Sequence, residues 1–129
     1  MKNTKVDNCI FCNIPSSRII SENKFAYVIF DKYPVTKFHS LIIPKRHFEN
    51  YFDIDESEIK AVNDLLFDHR NKILEEDNSV TGFNIGVNSG KDAGQTIMHC
   101  HIHLIPRRKD DVKDSEGGVR GVIRAKQSY

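Results

Sequence analysis

The sequence predicts an α+β fold, a mainly antiparallel sheet carrying one long helix. Three observations lead there. Sustained helical spacing occurs once, from Asp55 onward. The apolar runs on either side are short and separated by turn residues. In "GQTIMHCHIHLIPRR" (94–108), histidine and apolar residues alternate at every second position, the period of a strand.

The elements follow in order. "CIFCNIP" is a compact, cysteine-rich opening after an N-terminus (1–8) expected to be flexible. "RIISENKFAYVIFDKYP" reads as two strands joined at Ser21, Glu22, Asn23 and Lys24, the second ending near Asp31. "KFHSLIIP" is a third strand stopped by Pro44. Asp55 is placed to cap a helix, with Glu58 three residues later completing a capping box. Ile59, Val62, Leu65, Leu66 and Ile73 then trace one apolar face over roughly five turns. "VTGFNIGVNSG" returns to strand, "SGKDAGQ" is a Gly-rich loop, and the histidine strand follows. From residue 107 to 129 the chain reads as an irregular polar tail. No repeat or linker divides residues 1–129, which are expected to form a single domain.

Composition narrows the function classes. Nineteen basic against eighteen acidic side chains leave a formal net charge of +1, giving no field that would hold a nucleic-acid polymer or a membrane surface. No apolar run reaches transmembrane length, and no apolar segment long enough for a signal peptide follows "MKNTKVDN". Three cysteines suit a reducing cytoplasm better than a disulfide framework.

Alternation puts His99, His101 and His103 in one row, with Met98, Cys100, Ile102 and Leu104 expected on the opposite, core-facing side. A lone histidine on a strand is commonly structural. Three in alternation make poor core filler, because each buried imidazole needs hydrogen-bond partners. Two chemistries remain, a metal centre and phosphorus chemistry with histidine as nucleophile and proton donor. Neighbours in the row sit about 6.6 Å apart, so all three cannot meet on one ion without bending the strand.

"CIFC" has the spacing of two thiolates on one zinc, yet a structural site needs four ligands. Zinc, two buried thiols and a redox pair are all open on the residues alone. A redox pair lacks its usual βαβ surroundings. Histidines at 39, 47, 69 and in the row are the candidates to complete a metal set, and His69 on the helix needs no such role.

His-Cys-His-Ile-His-Leu-Ile (99–105) resembles the histidine-triad motif, in which three histidines alternate with apolar residues. "NSGKDAGQTIMHCHIHLIPRR" and "FDKYPVTKFHSLIIPKRH" are similar to the loop-plus-strand and fourth-histidine segments of the histidine-triad nucleotide hydrolases, with Hint-like and fragile-histidine-triad branches. The resemblance runs over most of residues 9–124. It implies a five-stranded antiparallel sheet with one helix, paired about a two-fold axis into a homodimer with a continuous ten-stranded sheet.

The resemblance also implies chemistry at the α-phosphorus of an adenosine nucleotide, either a dinucleoside polyphosphate or a nucleoside phosphoramidate. His101 matches the nucleophile that forms a nucleotidyl-histidine, His103 the donor beside the leaving group, and His39 the supporting fourth histidine. Asn88, Gln95 and Thr96 match the phosphate side, Asp31 the ribose, and Ile10, Phe11, Ile14 and Ile29 the base slot. Through a zinc-bearing bacterial branch and the related galactose-1-phosphate uridylyltransferases, it further implies structural zinc on Cys9, Cys12, His47 and His99. Magnesium enters only as an aid to a polyphosphate substrate. The basic run Arg107, Arg108 and Lys109 is either a solvated strand end or an attractor for outer phosphates. "EGGVRGVI" and "KQSY" resemble bacterial tails that reach the partner subunit's site, although Arg124 stands where proline is expected. A nucleotide-binding regulator or scaffold with little turnover is the alternative, and an intact triad favours the enzyme.

Overall fold

Alternation along each strand decides the two faces of the sheet, and the helix can cover only one of them. In the computed structural model, which describes residues 5–129, the strands are β1 (Ile19–Glu22), β2 (Ala26–Phe30), β3 (Ser40–Pro44), β4 (Val80–Gly86) and β5 (Ile102–Arg108). They form one antiparallel sheet in the order β1-β2-β3-β5-β4. Among the described residues a single α-helix, α1 (Glu56–Glu76), lies between β3 and β4. The expected five-stranded α+β architecture is observed.

On one face, Ala26, Val28, Ile42, Ile102 and Leu104 pack against Ala61, Val62, Leu65, Leu66 and Ile73 of α1. On the other, Tyr27, Ile29, Leu41 and Ile43 form a second apolar cluster with Phe11, which the N-terminal turn lays over the sheet. Odd-numbered residues of β5 share this second face, so the histidine row opens away from the helix.

The helix starts where its cap predicts. Asp55 and Glu58 form the capping box, and the Asp55 N–H donates to Glu58 Oε1 at 2.9 Å. Such a cap contributes about 1 kcal/mol. Glu58 is buried because Arg46 forks onto both its oxygens at 2.8 and 2.9 Å. That pairing ties the chain just before His47 to the start of α1.

Several details differ from expectation. Ile59 is 37% exposed, at the rim of the apolar face, and His69 is buried in its place among the helix's inward residues. Met98 is 40% exposed, so the core-facing row is Cys100, Ile102 and Leu104 only. β5 begins at Ile102, opposite Ile42 of β3; before it, the Cys100 N–H to Phe48 C=O bond and the His99 side-chain bond to the Pro44 carbonyl hold residues 99–101.

The tail begins later than expected. Arg107 and Arg108 belong to β5, and 3-10 turns occupy Gly118–Val122 and Arg124–Lys126. Of the N-terminal segment expected to be flexible, residues 1–4 lie outside the described residues. Val6 and Asp7 are held by their carbonyls, which accept from the Asn13 amide at 3.0 Å each. Among the described residues, no helix is long and apolar enough to cross a membrane.

Candidate active site and metal cluster

His101 and His103 enter a cleft of about 450 Å³ on the face opposite α1, with His39, Asp31, Asn88, Thr96, Ile10, Phe11 and Ile29 among its walls. That volume suits one small ligand. β5 contributes His103, and the segment leading into it contributes His101. His39 immediately precedes β3 and Asp31 immediately follows β2. Adjacent strands thus bring together residues far apart in sequence.

The hydrogen bonds assign a proton to each imidazole. The His39 Nδ1 accepts the Val35 backbone N–H at 3.1 Å, so a neutral His39 carries its proton on Nε2. That Nε2 faces His103 Nδ1 at 2.9 Å and donates to it. Neutral His103 therefore keeps its own proton on Nε2. His101 Nδ1–H donates to the His99 carbonyl at 2.7 Å, leaving a bare lone pair on His101 Nε2. One histidine offers a nucleophilic nitrogen, and its neighbour offers an N–H.

Burial holds this arrangement neutral. It lowers the pKa of His101, against the raising effects of the His99 carbonyl and Asp31. It lowers His103 further, to about 4, with the neighbouring His101 and His39 adding to the effect. His39 is also lowered by burial, while Asp31 opposes it. Asp31 Oδ2 lies 3.4 Å from His39 Nε2, and its Oδ1 accepts the Tyr33 N–H at 2.8 Å.

A second cluster lies at the rim. The Cys9, Cys12, His47 and His99 ligand atoms all fall within 4.8 Å of one another. Cys9 Sγ to His99 Nδ1 is 3.3 Å, Cys12 Sγ to His47 Nδ1 is 3.3 Å, and the two Nδ1 atoms are 3.2 Å apart. A zinc tetrahedron with ordinary bond lengths has S···N edges of about 3.5 Å and N···N edges of about 3.3 Å. The donor set fits. His99 Nε2–H donates to the Pro44 carbonyl at 2.7 Å, which leaves Nδ1 bare and aimed at the sulfurs. The Cys12 and Val6 N–H groups donate to Cys9 Sγ and Cys12 Sγ at 3.3 Å, as suits thiolates.

Asp31, His39 and His103 also cluster within 4.8 Å. There the Val35 N–H occupies His39 Nδ1, so the nitrogen facing the cluster is protonated. This group is a hydrogen-bond relay. His99 and His101, two residues apart, thus serve different clusters, and no ion need reach all three histidines.

Residues 13–110 match the HIT domain family. The chain belongs to the HIT family. It is 37% identical to a 16.1 kDa HIT-like protein of Mycoplasma pneumoniae, over 78% of this chain and 72% of that one. It is 35% identical to adenylylsulfatase HINT3 of Arabidopsis thaliana and 32% identical to the asymmetrical bis(5'-nucleosyl)-tetraphosphatase of Schizosaccharomyces pombe, covering 84% and 78% of this chain but 56% and 54% of those enzymes. Homologues within the family are thus named as hydrolases.

Among solved structures, a HIT family protein from Bacillus anthracis superposes with a TM-score of 0.74 at 36% identity, covering 81% of this chain and 76% of that one. A zinc-bound histidine triad family protein from Mycobacterium smegmatis gives 0.73 at 31% identity, covering 93% of each chain.

Some residues expected at the HIT cleft are used elsewhere. Gln95 is buried behind it. Its carbonyl accepts the Gly90 N–H at 2.9 Å, and its amide donates to the Glu49 and Ile97 carbonyls at 2.8 and 3.2 Å. Gln95 shapes the loop and does not present a donor to phosphate. The Gly90 and Gly94 N–H groups are likewise taken within the loop, Gly94 at φ 93° donating to the Lys91 carbonyl. Ile14 packs on the cluster beneath the cleft and is absent from its walls.

The two arginines of the basic run are also committed. Arg107 pairs with Asp111 and donates to Asn84; Arg108 pairs with Asp77 and donates to the Lys37 carbonyl. This overturns any reading of the pair as free cations awaiting outer phosphates. The sequence left unmarked the Val35 N–H and the Pro44 carbonyl, which set two tautomers. Backbone groups have no sequence signature of their own.

Proposed function

We propose that the chain is a nucleotide hydrolase or transferase cleaving at the α-phosphorus of an adenosine nucleotide, a dinucleoside polyphosphate or a nucleoside phosphoramidate. The observation that carries this reading is the pair of opposed tautomers, with a lone pair on His101 Nε2 and a proton on His103 Nε2.

In the first step His101 Nε2 attacks phosphorus and the bond to the leaving group breaks, with the neutral His103 donating its Nε2–H as a hydrogen bond to the departing oxygen or nitrogen, which takes its proton from solvent. As His101 becomes positive, its Nδ1–H remains anchored on the His99 carbonyl. In the second step water attacks phosphorus and loses its proton to solvent, and the P–N bond breaks to release the monophosphate and a neutral His101. Asp31 takes the ribose, Thr96 and Asn88 face the phosphate, and Ile10, Phe11 and Ile29 hold the base.

Structural zinc on Cys9, Cys12, His47 and His99 is part of the same proposal. It is supported by the fit of the donor set and by the zinc-bound relative. Four protein ligands leave no open position for substrate. Zinc there supplies no chemistry beyond pinning the N-terminal turn, and with it Phe11, against the catalytic segment. Phe11 stands edge-on to His101 at 5.0 Å between ring centroids.

The deciding experiment is base-quenched intact-mass spectrometry with an adenosine phosphoramidate and a diadenosine polyphosphate. The expected result is a transient adduct on the wild type and none on His101→Ala, which should still bind nucleoside monophosphate within about tenfold. Turnover retained by His101→Ala overturns the covalent mechanism.

A further inference from the structure

His39 sets the tautomer of His103, so whatever fixes His39 fixes the N–H that His103 presents. The residue before it, Phe38, has φ 72°, in the left-handed region that disfavours any side chain with a Cβ. A bulky residue persists there only when its surroundings hold it. The holding contacts lie on the far face of the sheet, among residues that never touch the cleft.

Ser40 begins β3 and faces α1, while Leu41 and His39 face the cleft. The Ser40 hydroxyl donates back to the Phe38 carbonyl at 2.7 Å, so its oxygen is left to accept. His69 of α1 reaches it, with Nε2 2.7 Å from Ser40 Oγ. Because the hydroxyl proton is already used, His69 Nε2 is the donor, and its proton sits on that nitrogen. His69 Nδ1 has no partner among the described residues and is the bare lone pair. His69 is 3% exposed and Ser40 is fully buried.

We propose that His69 is a positioning residue for this reaction: through Ser40 it clamps the left-handed Phe38 and so sets the angle at which His39 enters the cleft. The proposal rests on the mechanism given above. The chain of bonds runs His69 Nε2–H to Ser40 Oγ, Ser40 Oγ–H to the Phe38 carbonyl, and then one peptide to His39. Three further contacts receive His39 once it is placed. Its N–H donates to the Thr36 carbonyl at 3.1 Å, its carbonyl accepts from Asp31 at 2.9 Å, and its Nδ1 accepts from Val35 at 3.1 Å. If Phe38 relaxed to negative φ, this peptide would rotate and the bond from His39 Nε2 to His103 Nδ1 would be lost. An interior helix residue thereby governs an imidazole on the opposite face of the sheet.

The test uses His69→Phe, which keeps bulk and removes the donor, together with Ser40→Ala, His69→Gln and Phe38→Gly. Long-range ¹⁵N spectra of the imidazoles report tautomers without any substrate. Wild type and His69→Gln, whose amide can still donate, should show His39 and His103 each protonated on Nε2. His69→Phe and Ser40→Ala should show mixed tautomers. The double variant His69→Phe/Phe38→Gly should recover the wild-type spectrum, because glycine adopts φ 72° without strain.

In turnover, His69→Phe should lose up to about tenfold in kcat on a substrate whose leaving group needs a proton, no more than the loss of His39 itself. An aryl ester of the same nucleotide, with a good leaving group, should lose little, and KM should hold for both. Wild-type tautomers in both His69→Phe and Ser40→Ala, or mixed tautomers that glycine at 38 fails to restore, overturn the proposal. Should the wild type turn over no nucleotide, the hydrolase reading fails, and the spectra still decide the positioning role.

Discussion

His39 Nε2 lies 2.9 Å from His103 Nδ1, and the proton between them belongs to His39, because the Val35 N–H occupies its other nitrogen. A histidine that donates into Nδ1 leaves its neighbour with an N–H at Nε2. The N–H that His103 presents to the cleft is therefore set by a backbone amide two imidazoles away.

That relation separates His39 from His103 by experiment. His103→Ala removes the N–H donor and should cost about 10²–10⁴-fold on a leaving group that needs a proton. His39→Ala leaves the donor present with its tautomer no longer fixed, so the loss should be smaller, on the order of tenfold, and again confined to poor leaving groups. Steady-state rates on a series of leaving groups check both. Equal losses along the whole series would mean that neither residue assists the leaving group.

A second prediction concerns acid. Burial lowers the His69 pKa to about 4 from an ordinary 6.5, with the Lys72 charge adding to it. Between these values the unfolded chain binds the proton and the folded chain does not. Stability from the neutral His69 is thus complete above about pH 6.5 and is lost as pH falls toward 4, by about 3 kcal/mol in all. His69→Gln, which keeps a donor and cannot titrate, should show a flatter decline across that window. Urea unfolding at fixed zinc, at intervals from pH 7 to 4, measures the difference. Parallel curves would remove His69 from the acid response.

That His101 and His103 share a face was legible in the alternation of the row, a strand period, although only His103 falls within β5; their proposed chemistry came from the resemblance. The metal half was legible only in part. Cys9 and Cys12 announce a pair of thiols, but which histidines join them depends on how residues 45–48 run beside residues 99–100, held by one bond from Cys100 to Phe48. The resemblance supplied His47, which spacing alone left open. His69 was passed over although it extends the helix's apolar face at Leu65, Leu66 and Ile73. A histidine at an inward position calls for a buried partner, and that signal was available. Gln95 gave none, since a polar residue in a Gly-rich loop reads as solvated until the loop is seen to close around it.

A third prediction is self-association across β4. The sheet has two edges, β1 and β4. β1 is only four residues long, which discourages pairing. β4 is seven residues long, and the face beside it exposes Ile85 at 51% and Phe67 at 69%. A two-fold pairing of β4 strands would extend the sheet and cover both side chains. Sedimentation equilibrium should give a dimer at micromolar concentration, and Ile85→Lys with Phe67→Lys should shift it to monomer. A monomeric wild type would end the case for a shared sheet.

The last prediction is the metal. Burial raises the Cys9 thiol pKa, the Cys12 backbone N–H donated to its sulfur opposes that rise, and the neighbouring Cys12 sulfur adds to it. Two adjacent thiolates are therefore costly unless a cation compensates them, and His99 is held neutral with its bare Nδ1 turned toward them. Protein purified without chelators should hold one zinc per chain by elemental analysis. Cys12→Ser should lose it and lower Tm, and chelation of the wild type should do the same. Because His101 and His103 lie outside the set, Cys12→Ser should retain part of its kcat. Its KM should rise, since Phe11, beside Cys12, stands against both the cleft and His101. Substoichiometric zinc, with a Tm indifferent to chelators, would leave Cys9 and Cys12 as partly buried thiols and remove the metal from this account.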